Sequence, residues 1–294
     1  MILGIIPNIT KTDILKTIEV IVEELQKYNL GFFICDSMLK KKNEFSEKLN
    51  NCSFLPLKEL INKSDIIISI GGDGTMLNTA YEVRNDNKPI IGVNLGKLGF
   101  LAEFDVESFK NFIPDIISKN YTIENRIALI GNVNNKEELY AINDIVIDKG
   151  SWAKMIEITI KIDDDYVSTF SADGIIIATP TGSTGYSLST GGPIITPKSN
   201  VITLSPIAPH TLTMRPLVIS SNQKITIIAQ SQFGKIHISC DGQRSNIYDS
   251  PSYIFVEKSK KDIQLAHSNN TSYFEILRNK LFWGLDIRKF KNHQ

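Results

Sequence analysis

The apolar residues of this chain change period part-way along, and that change limits the folds open to it. Up to about residue 105 they come in short unbroken runs, at Ile2–Ile6, Leu30–Cys35, Asp65–Ile70 and Lys88–Val93. An unbroken run marks a strand covered on both faces, as in a parallel sheet flanked by helices. Helical spacing fills the gaps: Ile14, Leu15, Ile18, Ile21, Val22 and Leu25 between Thr12 and Tyr28, closed by Asn29, and then Thr75–Val83. Strands alternating with helices imply parallel βαβ units. Asp36–Lys63 is polar and lysine-rich and reads as a variable loop or short helix. Past Phe109–Lys119, a further helix, period two takes over. Ile156, Ile158, Ile160 and Ile162 alternate with Glu157, Thr159 and Lys161, the mark of a half-buried strand. Ile145–Ile147, Ile175–Ala178, Ile225–Ile228, Ile236–Cys240 and Tyr253–Val256 are further short strands, and Tyr273, Ile276, Leu277 and Leu281 return to helical spacing. The predicted architecture is an α/β N-terminal domain over residues 1–104, an all-β C-terminal domain, a β-sandwich, over 105–267, and a helical tail over 268–294. A chain of 294 residues accords with two domains at roughly 150 residues each.

Composition excludes several functions. Lys plus Arg and Asp plus Glu each number 32, so the formal net charge is zero, without the basic excess of a nucleic-acid binder. No apolar run approaches the roughly 18 residues of a membrane span. The N-terminus has neither a basic region nor a long apolar stretch, so no signal peptide is expected. Three scattered cysteines, Cys35, Cys52 and Cys240, fit a reducing, cytoplasmic compartment better than a disulfide framework. Cys and His never cluster, so no structural metal site is expected.

The sharpest local feature is Gly71-Gly72-Asp73-Gly74-Thr75, directly after a buried strand. Glycines allow close backbone approach to a phosphate and unusual dihedrals, and the following helix presents N–H groups to an anion. A carboxylate is out of place there unless it has work to do. Asp73 reads either as a proton acceptor for a substrate hydroxyl or as a cap of the Thr75 helix. The pattern is neither a dinucleotide fingerprint nor a Walker loop. The second feature is Ser171-Ala172-Asp173-Gly174, a strand, and then the stretch Thr179–Pro193, dense in Gly, Ser and Thr and carrying Tyr186. Amides and hydroxyls at this density suit a polyhydroxylated or phosphorylated ligand; a flexible linker is the alternative. Asn143-Asp144, Asp163-Asp164-Asp165 and Asp241-Gly242-Gln243 read locally as turns. His210, His237, His267 and His293 are too dispersed to act as a set, and His237 is expected to face solvent or an interface.

Taken together these segments resemble the NAD kinase family. The resemblance is carried by Gly71–Thr75, Asn143-Asp144, Asp173–Pro193, Ser205–His210 with Arg215-Pro216, Asp241-Gly242-Gln243, and the tail Leu277–Leu281 with Trp283-Gly284. It implies a Rossmann-like N-terminal α/β domain that carries donor and catalyst and is joined by the C-terminal segment 268–294, a C-terminal β domain that binds NAD, and transfer of a terminal phosphoryl from ATP, or another donor such as polyphosphate, to the adenosine-ribose 2′-hydroxyl. Asp73 would be the base, and Gly71, Gly72, Gly74 and Thr75 the phosphate-facing turn. Asn143, Asp144, Asp173, Thr181, Thr184, Gly185, Tyr186 and Ser189 would line the NAD site. It also implies a divalent metal, usually Mg²⁺, held largely by the nucleotide, and a homodimer or homotetramer. The family often has Asn-Glu where this chain has Asn143-Asp144, and the residue at the Gly185 position varies among small types. A lipid or sugar kinase sharing only the first turn would leave the second motif unexplained; a non-catalytic NAD sensor would have no use for Asp73.

Overall fold

The computed structural model describes residues 1–96, 99–269 and 272–284. The chain divides into two units: residues 1–124 together with the chain from Gln264, and Asn125–Ile263.

The first unit is built on a seven-stranded sheet in the spatial order Phe54–Leu55, Gly31–Cys35, Ile2–Pro7, Ile66–Gly71, Ile90–Asn94, Ile263–Ser268, Tyr121–Arg126. The first six run parallel to one another. From Ile2–Pro7 the chain builds outward to one side, then crosses back to add Ile66–Gly71 on the other. The strand order reverses between these two, and open α/β sheets bind ligands beyond the carboxyl ends of the strands at such a switch point. The unbroken apolar runs are explained: Ile66–Gly71 and Ile90–Asn94 are buried at every residue. Helix Ile14–Lys27 buries Ile14, Ile18, Ile21, Val22 and Leu25 as its spacing predicts, with Thr17 buried and Leu15 only partly so. Asn29, at φ 53°, closes it in the left-handed conformation that asparagine tolerates.

Two expectations are corrected. Asp36–Lys63 is a 3₁₀ helix, Asp36–Glu44, two short helices, Glu47–Asn50 and Leu57–Lys63, and the edge strand Phe54–Leu55; two residues are too few to display a period. The expected boundary at 104/105 falls inside the first unit. Helix Val106–Ser118, whose Asp105 cap accepts from Ser108 N–H at 2.7 Å, buries Phe109, Phe112, Ile113 and Ile116 in the same core as Leu3 and Ile5. Tyr121–Arg126 and Ile263–Ser268, expected in the β domain, complete the first sheet. Periodicity identifies a strand but not the sheet it joins.

The second unit is a sandwich of two six-stranded antiparallel sheets. One runs Asp165–Ala172, Ile156–Ile162, Ile225–Gln230, Ser252–Lys258, Leu129–Val133, Glu137–Ala141; the other Leu217–Ser220, Val201–Ile207, Gly174–Ala178, Asp144–Asp148, Lys235–Cys240, Arg244–Asp249. Ile156, Ile158, Ile160 and Ile162 from the first meet Ile145, Ile147, Ile175, Ile177, Ile236 and Ile238 from the second in one core. The acidic run is a hairpin turn, as expected: Asp163 and Asp164, at φ 50° and 71°, link two antiparallel strands in the manner of a two-residue primed turn. Among the described residues no helix is long and apolar enough to cross a membrane.

Candidate active site

At the switch point, Gly72 caps helix Asp73–Glu82 directly after the buried strand. The helix's first turn is braced by Thr75. Its N–H donates to Gly72 O at 2.9 Å, and Asn8, just beyond the neighbouring strand, donates from Nδ2 to Thr75 Oγ1 at 3.0 Å. Asn8 thus belongs to this corner, although the sequence marks it only as a turn residue. Gly71, Gly72 and Gly74 have no positive φ, so the turn does not use the dihedral freedom expected of it. Gly71 is needed for space: a Cβ there would lie 2.7 Å from Thr75 Cβ.

Asp73 does not cap its own helix. Its carboxylate reaches the segment that follows Ile90–Asn94. Oδ2 accepts from Phe100 N–H at 2.8 Å, and Oδ1 accepts from Leu101 N–H at 3.0 Å and Ala102 N–H at 3.1 Å. Gly99 makes room for this, since a Cβ there would lie 2.5 Å from Asp73 Cγ and closer still to Oδ1. Sequence reading missed the 99–102 segment, because three backbone donors leave no side-chain signature.

A second polar locus lies in the sandwich unit. Asn143 and Asp144 open the Asp144–Asp148 strand, and the Thr179–Pro193 stretch packs on them. Thr179 N–H donates to Asn143 O at 2.9 Å and Thr179 Oγ1 donates to Ile142 O at 2.6 Å. Gly182 sits so close that a Cβ would fall 2.5 Å from the Asn143 carbonyl carbon. The stretch forms a 3₁₀ turn, Thr181–Thr184, and a short helix, Tyr186–Ser189. Most of its hydroxyls are turned inward. Ser183 Oγ donates to Pro180 O at 2.7 Å, Ser189 Oγ to Tyr186 O at 2.8 Å and Thr190 Oγ1 to Ser187 O at 2.9 Å; Ser187 pairs with Ser205, and buried Thr181 accepts from Arg126. The expected hydroxyl grip is therefore mostly a self-brace, which disposes of the linker reading. Gly185, Tyr186 and Ser189 are exposed and Thr184 half-buried.

The Asp241 turn braces the same locus. Asp241 and Gly242 take φ 54° and 64°, so the local turn reading holds, but the Asp241 side chain has no exposure at all. Oδ1 accepts from Ile142 N–H at 2.9 Å, Asn143 N–H at 2.7 Å and Asp144 N–H at 3.3 Å, and Arg244 Nη2 donates to Oδ2 at 2.8 Å. Burial, and then the nearby Asp241 charge, push the Asp144 carboxyl up to about 7. Burial also raises Asp241, against the Asn143 amide and Arg244, which pull it down. Asn143 Oδ1 is buried with no partner. Gly185 adjoins the pair, since a Cβ there would lie 3.7 Å from Asn143 Nδ2 and 3.8 Å from Asp144 Oδ2. Asp173 pairs with Lys149 Nζ at 2.8 Å. His237 alternates with buried Ile236 and Ile238 and lies off the core, as expected, half-exposed and paired with Asp148 at 3.1 Å; His210 is exposed, and His293 lies outside the described residues. Among the described residues no group of three or more His, Cys, Asp or Glu is arranged to hold a metal ion.

The profile of the ATP-NAD kinase N-terminal domain matches residues 3–121, and that of the ATP-NAD kinase C-terminal domain matches residues 142–268. The NAD kinase of Chlorobium phaeobacteroides (strain BS1) is 40% identical over 284 residues, 96% of each chain. The chain belongs to the NAD kinase family. The NAD kinase of Prosthecochloris aestuarii is 41% identical over the same share of both chains. Among solved structures, yeast NADH kinase complexed with NADH shares the fold, at TM-score 0.89 and 24% identity, covering 98% of this chain and 89% of that one. An NAD kinase from Archaeoglobus fulgidus in complex with ATP superposes at TM-score 0.75 and 28% identity, covering 96% and 99%. As in the NAD kinase profiles, the Gly71–Thr75 turn and the Asp173–Pro193 segment lie in separate domains. The second of these is what a lipid or sugar kinase reading leaves unexplained.

Proposed function

We propose that this chain transfers the terminal phosphoryl of ATP to the adenosine-ribose 2′-hydroxyl of NAD, giving NADP and ADP, with Asp73 as general base. The observation that carries the reading is the seating of Asp73. A half-buried carboxylate at the switch point is fixed by three consecutive backbone amides. Its Oδ2 accepts only one of those bonds, and a carboxylate oxygen has room for about two. An acceptor position therefore remains for a hydroxyl proton. As the bond from O2′ to the γ-phosphorus forms and the bond to the β,γ-bridging oxygen breaks, the hydroxyl proton passes to Asp73 and ADP leaves. Phosphoryl transfer asks the protein mainly for positioning and charge stabilisation, which pre-aimed groups supply without reorganising.

The NAD site of this reading is Asn143, Asp144, Asp173, Thr181, Thr184, Gly185, Tyr186 and Ser189. Asn143 Oδ1, buried and without a partner, is what a ribose hydroxyl would satisfy, because an unpaired buried acceptor is costly. Asp144, raised to about 7, can donate as well as accept near neutral pH. The Tyr186 ring, 48% exposed, offers a stacking face. Thr181 contributes by holding the turn, its buried Oγ1 accepting from Arg126 Nη1 at 3.3 Å. Among the described residues no side chains form a metal cage; in this reading a divalent ion such as Mg²⁺ would arrive with the donor phosphates, and no side chain is assigned to it. Assembly as a homodimer or homotetramer and cytoplasmic residence belong to the same reading and rest on family membership.

The test is NADP formation from NAD, ATP and Mg²⁺, run beside Asp73→Asn. Loss of a positioned base costs about 10²–10⁴-fold, and that range is expected in kcat, with the protein still folded and its melting temperature somewhat lowered because the amides of residues 100–102 lose their anionic acceptor. Equal rates in the two proteins would remove Asp73 from the base role.

A further inference from the structure

Directly after the amides that seat Asp73 comes Glu103, whose side chain is only 5% exposed. A carboxylate this deep needs a partner of opposite charge or several donors. It has His267: the imidazole Nδ1 bonds Glu103 Oε2, and the Ser268 N–H donates to Oε1 at 3.3 Å. The other ring nitrogen, Nε2, lies 3.2 Å from Glu124 Oε2, an ion-pair contact off the line of a good hydrogen bond. The imidazole therefore stands between two carboxylates from different elements, Glu103 after the Ile90–Asn94 strand and Glu124 in Tyr121–Arg126, while His267 itself sits in Ile263–Ser268. A carboxylate thus stands at each ring nitrogen, hydrogen-bonded at Nδ1 and in ion-pair range at Nε2.

The main chain links this ring to the base. Ala102 N–H donates to Asp73 Oδ1, and the next residue is Glu103. Phe104, one further on, is fixed to the central sheet: its N–H donates to Gly92 O at 3.1 Å, and its carbonyl accepts from Asn94 N–H at 2.7 Å. The sheet thus anchors one side of Glu103, and the His267 ring holds its side chain on the other.

We propose that His267, bridging Glu103 and Glu124, is a positioning residue for phosphoryl transfer: it fixes the 99–103 segment whose amides orient Asp73. This rests on the reading of Asp73 as base. The experiment compares His267→Gln, Glu103→Gln and Glu124→Gln by three readouts. The first is the kinetic split: kcat falls about 10–100-fold, the scale of a misplaced catalytic group, with KM for NAD and ATP unchanged. The second is hydrogen exchange, which quickens at Phe100, Leu101 and Ala102 ahead of the rest of the first unit. The third is His267→Gln in the Asp73→Asn background, where it costs less than about threefold, because groups acting through one another are not additive. Glu124→Gln touches a partly exposed residue and serves if His267→Gln fails to fold. Unchanged kcat, exchange that rises uniformly, or the same fold-loss with and without Asp73 would each overturn the proposal. An Asp73→Asn protein as active as wild type would instead sink the base assignment, and the exchange data would still show whether His267 holds the segment.

Discussion

The contact between Asp73 and the 99–102 turn can be tested with a single methyl group. A Cβ on residue 99 would stand 2.5 Å from Asp73 Cγ, where ordinary contact begins at 3.4 Å. In Gly99→Ala the carboxyl must therefore retreat by roughly 1 Å, or the turn must. Either movement breaks the register in which Phe100, Leu101 and Ala102 donate to it. Overpacking of this kind costs about 1–3 kcal/mol, which lowers the melting temperature by a few degrees in a chain of this size. The effect on rate is larger, since displacement by about 1 Å can cost ~10²-fold. The assay is NADP production at saturating NAD and ATP, coupled to an NADP-specific dehydrogenase. Gly31→Ala is the control: a Cβ there meets Ile2 at an ordinary 3.6 Å, so activity near wild type is expected. Gly99→Ala should fold, melt slightly lower and lose about 100-fold in kcat. A folded Gly99→Ala protein within threefold of wild type would show that the seating of Asp73 does not set the rate.

Three further outcomes are expected. Asp144 sits at about 7 in the folded chain against an ordinary 3.8, so the native state keeps a proton that the unfolded chain gives up. Its share of stability is full below about pH 4 and is lost as pH rises through about 7. Asp144→Asn should gain on wild type across that window, by at most about 4 kcal/mol, and urea midpoints at pH 5 and pH 8 that shift in parallel would count against it. Asp241→Ala leaves buried amides and Arg244 without their acceptor; a loss of about 3–5 kcal/mol is expected, with weakened NAD binding in whatever folds, measured by calorimetry. Chelation with EDTA should stop turnover and Mg²⁺ restore it, while Mg²⁺ without nucleotide leaves the melting temperature unmoved. A metal-induced shift of the nucleotide-free protein would point to a protein-held site.

Much of this arrangement was legible from period alone. The change from unbroken runs to alternation separates a parallel sheet from a sandwich, because it reports whether one face or both faces of a strand are covered. It does not report partners, so the bounds 105–267 of the expected β domain took in Tyr121–Arg126 and most of Ile263–Ser268, which complete the first sheet. The Gly71–Thr75 turn was legible, but Gly71 serves space, and none of its three glycines takes a positive φ. Tyr186 was legible as the ring carried by the Gly-, Ser- and Thr-dense stretch. The inward turn of Ser183, Ser187 and Thr190 was not, since a hydroxyl aimed at its own backbone and one aimed at a ligand have the same sequence.

The two aspartates Asp73 and Asp241 show where local reading stops. Each stands where a short-range account suffices, one at the first turn of a helix and one in a hairpin turn. Each nevertheless commits its carboxylate to three consecutive amides of a remote segment: residues 100–102 for Asp73, 27 to 29 positions on, and residues 142–144 for Asp241, 97 to 99 positions back. A run of amides pointing one way is a concentrated positive field that only an anion satisfies well when water is excluded. Aspartate supplies that anion on the shortest side chain, so the segment is drawn to the backbone that carries it. In each case a segment of a proposed site is fixed by a charge outside it in sequence. Asp73 is itself the proposed reacting group, held by amides. Asp241 is the reverse, a carboxylate holding the amides of the proposed ligand-binding pair Asn143-Asp144. Lengthening either to glutamate keeps the charge and moves it by a methylene. The physical account therefore requires that Asp73→Glu and Asp241→Glu fail almost as badly as removal of the charge, which a view of either residue as an interchangeable cap or turn former does not.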